Sequence, residues 1–187
     1  MRKGRRAGAA TVAAALAGVC ALAGCGNSHS AANGQSTTSL TASATTGSST
    51  TTSSASSAVL AAYRASWTAF EQALADANPN TPTLAATMVD PQLQGVKANL
   101  LSDQIHGMIG KGTFTLHPRV TSLTGTTATV VDCAYSTAEL VYKATGKPVP
   151  PITPPENDGV TSTLVLTGGV WKVYKQTVTD GSCAPGA

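Results

Sequence analysis

Proton transfer needs a carboxylate, imidazole or phenol held beside a second polar group, and this chain supplies few such sets. His106 follows Asp103 by three residues, so on a helix the two would share one side. The plainer reading of that pair is one turn of solvated helix surface. Asp132 stands between Val131 and Cys133 in a β-rich segment. Alternation there sends Val131 and Cys133 to one face and Val130 and Asp132 to the other. Asp132 therefore meets solvent, the commoner fate of a carboxylate, or enters the interior. His117, Glu139, Tyr63, Tyr135 and Tyr142 complete the acid–base set, and His117, just before Pro118, reads equally as outward and wet. No Ser-His-Asp order, phosphate loop, metal spacing or nucleotide fingerprint is present. No catalytic residue, metal or cofactor is assigned.

The cysteines carry a different chemistry. Met1 to Arg6 is a basic head, Ala7 to Ala23 is uncharged and apolar, and Gly24-Cys25 follows, which is the layout of an export signal. Leu22-Ala23-Gly24-Cys25 resembles the lipobox of bacterial lipoproteins. The resemblance implies a signal peptide over 1–24, a diacylglyceryl thioether on the Cys25 thiol, and cleavage before that residue. The protein would then sit on the extracytoplasmic face of the cell membrane, with membrane lipid as its partner through the anchor. Two acyl chains give a stable hold where one gives a marginal one. Two alternatives stay open: an uncleaved membrane helix, for which this Ala- and Gly-rich stretch is short and weakly apolar, and an ordinary cut after Ala23.

From Ser28 to Ser57, 19 of 30 residues are Ser or Thr and Leu40 is the one large apolar residue. That composition lacks the apolar area to offset the entropy of ordering, and it predicts a flexible tether over 25–57. The bulky residues follow, so residues 58–187 form the single expected domain. Without the basic head, eight basic residues face nine acidic ones with no run of either sign. The electrostatic stripe of a nucleic-acid binder is missing, and no nucleic-acid partner is expected.

Leu60, Tyr63, Trp67, Phe70 and Leu74 recur at spacings of three and four, predicting a helix from Ala58 to Asn78. The stripe reads as core rather than ligand box. A turn cluster, Asn78-Pro79-Asn80-Thr81-Pro82, ends it. A short helix over Thr83–Val89 and a third from Asp90-Pro91 come next. The third would bury Val96, Leu100, Leu101, Ile105, Met108 and Ile109 and stop at Gly110 or Gly112. Strands are expected at Thr113–Leu123, Thr126–Tyr135, Glu139–Ala144, Val160–Thr167 and Val170–Thr179, the last two joined by a Gly168-Gly169 hairpin. The proline-rich stretch from Gly146 to Gly159 reads as a surface loop.

Helices followed by antiparallel strands predict an α+β fold, N-terminal helices packed on a curved antiparallel sheet of four to six strands. The order is similar to the nuclear-transport-factor-2-like, or cystatin-like, cone. It also resembles small actinobacterial lipoproteins of unknown role, through Tyr63-Arg64-Ala65-Ser66-Trp67, Asp132-Cys133, Trp171-Lys172-Val173 and Gly181-Ser182-Cys183. Cys133 and Cys183 are the cysteines of this domain. In the oxidising compartment that export implies they should pair, whereas a reactive thiol or metal pair lacks the usual spacing. Cones of this kind include isomerases and dehydratases, in which a carboxylate works inside an apolar pocket. Two classes of function therefore remain. One is a non-catalytic binding or assembly module of the cell envelope, taking an apolar small molecule or an envelope protein. The other is a cone enzyme of the isomerase or dehydratase type, with Asp132 or the Asp103/His106 pair as base.

Overall fold

Three helices precede seven strands: α1 Ser48–Asp76, α2 Pro82–Thr87, α3 Gln92–Ile105, β1 Met108–Lys111, β2 Phe114–Thr115, β3 Arg119–Thr124, β4 Thr127–Ser136, β5 Glu139–Tyr142, β6 Glu156–Thr167 and β7 Val170–Thr179. The computed structural model describes residues 48–152 and 154–184. The expected signal peptide, the lipobox Leu22, Ala23 and Gly24, the lipidation site Cys25 and the tether as far as residue 47 lie outside them. Among the described residues no helix is long and apolar enough to cross a membrane.

Five strands form an open antiparallel sheet in the order β2-β4-β6-β7, with β3 beside β2 on the same edge of β4. β1 and β5 make a separate antiparallel pair. The helices lie on one face of the five-stranded sheet, which is the α+β arrangement expected. Alternation decides what each strand offers them. On β4, Ala128, Val130, Asp132 and Ala134 are all buried, and their partners on β6 include Leu164, Ser162 and Val160. Against this face α1 packs Val59, Tyr63, Trp67 and Ala73, and α3 packs Val96 and Leu100.

The helix boundaries depart from expectation in two places. α1 starts at Ser48, ten residues before Ala58, within the stretch read as tether. Ser and Thr are weak helix formers alone. Here the packed face further along supplies the stability that propagates the helix, and Ser57 Oγ donates back to the Ser53 carbonyl at 3.0 Å. α3 is shorter than expected. Gly107 adopts a left-handed φ of 65°, open to glycine at little cost. Met108 and Ile109 therefore belong to β1. Leu101 and Ile105, expected on the buried face, are 46% and 72% exposed, because the helix turns only Val96 and Leu100 fully inward.

The expected strand Thr113–Leu123 is broken. β2 and β3 run along the same edge of β4 with Leu116-His117-Pro118 between them, since Pro118 has no N–H to give the ladder. At the opposite edge, β7 is covered by the connection between α2 and α3. Val89 N donates to Val173 O at 3.0 Å, Gln92 Oε1 accepts from Gln176 N at 2.9 Å, and Lys172 Nζ donates to Ala85 O at 2.8 Å.

Candidate functional site

The break between β2 and β3 is where the buried carboxylate sits. Asp132, 7% exposed, points toward the helices from the middle of β4. Its Oδ1 accepts the backbone N–H of His117 at 2.6 Å, and its Oδ2 accepts the phenolic O–H of Tyr63 at 2.9 Å. His117 Nδ1 lies 3.1 Å from the carbonyl oxygen of Cys133, the residue opposite it in the register, while the His117 N–H goes to the carboxylate. The carboxylate thus closes an interrupted strand and ties α1 to β4. The Tyr63 phenol is pushed up from its ordinary value of 10.0, by burial first and by the adjacent Asp132 charge second, so it stays a neutral donor. Of the two fates the sequence left to Asp132, the interior one holds.

The remaining acid–base candidates are not brought together. Asp103 and His106 end α3, and His106 Nδ1 lies 2.7 Å from the Ser102 carbonyl oxygen on its own helix. Burial raises the pKa of Asp103, with the His106 charge opposing. Glu139 and Tyr142 are exposed on β5, and Tyr135 is exposed on β4, on the opposite face from Asp132. Cys133 and Cys183 form a disulfide, with Cα atoms 5.8 Å apart.

Asp132 lines an opening of about 370 Å³ with His117, Arg119, Val131, Cys133 and Cys183, and a second cavity holds the aromatic residues. Between the helices and one end of the sheet is an open pocket of about 270 Å³. Trp67, Phe70 and Phe114 form its aromatic wall, Met88, Val96 and Val178 its aliphatic wall, and Gln92, Asn99, Gln176 and Asp158 its polar rim. Trp67 and Phe114 approach to 4.6 Å between ring centroids, and Phe70 lies 6.1 Å from Phe114. Glu71 fixes that wall, since its Oε1 accepts the Phe114 backbone N–H at 3.0 Å. Asp132 and Tyr63 are not among the lining residues of this second cavity, because their groups are turned onto each other within the core.

Sequence reasoning singled out Trp67 and Phe70 as core, and they serve as core and pocket wall together. It missed Glu71, Gln92, Phe114, Asp158 and Gln176. One signal was available: alternation through Asp158, Val160 and Ser162 places all three on the face of Asp132, given the β4–β6 register.

No family model and no curated protein matches the sequence. Solved structures do match its fold. The intermembrane space region of the chloroplast protein ARC6 aligns with TM-score 0.53 at 14% identity, over 67% of this chain and 96% of that one. A protein of the NTF2-like family from Streptomyces avermitilis aligns with TM-score 0.46 at 16% identity, over 69% and 97%. An uncharacterised protein with a cystatin-like fold from Caulobacter vibrioides gives TM-score 0.43 at 17% identity, over 69% and 89%. At these identities the likeness is one of fold: the chain is an α+β protein whose helices rest on an open antiparallel sheet.

Proposed function

We propose that the protein is a membrane-anchored, extracytoplasmic lipoprotein whose folded unit is a non-catalytic binding module for a small, largely apolar molecule. The observation that carries the binding half is the aromatic-walled pocket, from which the buried carboxylate Asp132 is turned away. A concave, mainly apolar cavity with a few convergent polar groups is the usual form of a small-molecule site. The anchoring half rests on Leu22-Ala23-Gly24-Cys25 and the basic, apolar leader before it. The competing enzyme reading draws on Tyr63 and Asp132 lying within hydrogen-bond reach. It is disfavoured because each carboxylate oxygen already accepts a hydrogen bond, and the opening that Asp132 lines has no Trp, Phe or Tyr among its described lining residues to hold an apolar substrate.

The test is fluorescence titration of the full chain with the neutral probe N-phenyl-1-naphthylamine. Saturable binding that disappears in Asn99→Trp, which fills the exposed rim, supports the reading. Absence of binding, or binding indifferent to that substitution, removes it. The anchor is tested separately by the mass of the peptide that begins at Cys25 in native protein.

A further inference from the structure

The charges around the pocket define more than an apolar ligand. Among the described residues that line it, no Lys, Arg or His appears, and the one acidic side chain is Asp158. The sheet register places that carboxylate. Asp158 pairs with Ala134 two residues along β6 from Val160, the partner of Val178, so it shares the helix-facing side with the pocket's sheet residues. It is held there. Asp158 Oδ1 accepts the backbone N–H of Gly181 at 3.1 Å, and Gly181 belongs to a C-terminal strap fixed two residues later by the Cys133–Cys183 disulfide. Asp158 Oδ2 has no hydrogen-bond partner among the described residues. The polar neighbours are neutral, and two have their oxygens occupied: Gln92 Oε1 by Gln176 N, and Gln176 Oε1 by the Ser162 hydroxyl.

Resting on the binding reading above, we infer that the pocket selects a cationic ligand: an aromatic or alicyclic body carrying an ammonium or similar group. The body lies against Trp67, Phe70 and Phe114, whose ring faces attract positive charge, and the cationic end meets Asp158 Oδ2 at the mouth. A carboxylate ligand would bring like charge to Asp158 without any basic group to receive it.

Three probes of one shape test this on the full chain at neutral pH and low salt: 1-naphthylmethylammonium, 1-naphthylmethanol and 1-naphthoate. The ammonium is expected to bind about tenfold tighter than the alcohol, a typical size for one well-placed charge contact, with the naphthoate weakest. In Asp158→Asn, whose side-chain oxygen still accepts the Gly181 N–H, the preference should fall within about twofold while alcohol binding is kept. Asp180→Asn, an exposed neighbour, should leave the preference intact. Equal binding of ammonium and alcohol by the native chain overturns the inference and leaves the binding reading standing, as does a preference that survives Asp158→Asn. If none of the three probes binds, the binding reading falls and takes the inference with it.

Discussion

The Tyr63 hydroxyl donates to Asp132 Oδ2 at 2.9 Å, joining α1 to β4 across 69 residues of chain. Both groups are buried, so the bond replaces solvation that neither can recover in place. Tyr63→Phe should lower unfolding free energy by about 1–3 kcal/mol, the usual cost of leaving a buried acceptor short of its donor. Asp132→Ala should cost more, since it also releases the His117 N–H. A double-mutant cycle by denaturant unfolding should show strongly non-additive losses. Additive losses would mean that the two groups do not interact.

Alkaline stability should carry the same signature. Because the Tyr63 phenol is held above its ordinary 10.0, only the unfolded chain gives up that proton as the pH passes this value. The stabilisation is fully present below pH 10.0 and is lost above it, at about 1.4 kcal/mol per pH unit. Unfolding midpoints measured from pH 9 upward should fall less steeply in Tyr63→Phe than in the native chain. Parallel curves would place the phenol in water.

At the strap, Cys133, Gly159 and Thr179 stand in one cross-strand row of β4, β6 and β7. To reach Cys133 the strap passes over Gly159, whose N–H donates to Ser182 Oγ at 3.1 Å. A Cβ on Gly159 would run into that oxygen. Gly159→Ala is expected to destabilise the oxidised protein by about 1–3 kcal/mol, the range for overpacking. In Cys183→Ser the same substitution should cost much less, because the strap is free to move aside. The disulfide closes a separation of 50 residues, and its removal should cost about 4 kcal/mol on the loop-entropy account. Denaturant unfolding of the native chain, the two single variants and the double variant checks all three expectations.

Asp103 is raised by burial at the end of α3, so its charged form is disfavoured where it sits. The folded state holds the proton better than the unfolded one, and that advantage fades as the pH climbs through the carboxylate range. Asp103→Asn should therefore raise the thermal midpoint at neutral pH, with the gain shrinking in acid. A drop in the midpoint at neutral pH would show the carboxylate to be a stabilising partner instead.

How much of this could be read beforehand depended on whether the signal was local. The β6–β7 hairpin, β4 and the aromatic stripe of α1 follow from alternation, paired glycines and helical spacing, all carried by neighbouring residues. The ends of the helices were harder. Ser48 to Ser57 looks unfavourable until the packing further along α1 is known, and Met108-Ile109 continues an apolar pattern that only Gly107 interrupts. The place of Asp132 was readable to within a face, but its partner was not. Nothing near Tyr63 in the sequence says which strand will pass over it. The pocket is least legible of all, because Phe114, Asp158 and Gln176 meet only through the register of β2, β4, β6 and β7.

The covering of β7 bears on how the molecule behaves in a crowd. An open sheet ends in a row of unmet backbone groups that invites recruitment of a neighbour's strand and growth into fibrils. Here that row is met in mid-strand by Val89 and Gln92 of the same chain. A bulge at Thr163/Leu164 twists the border, and the exposed Lys175 adds charge to it. The β7 border therefore offers no free ladder at mid-strand to a neighbouring molecule's strand.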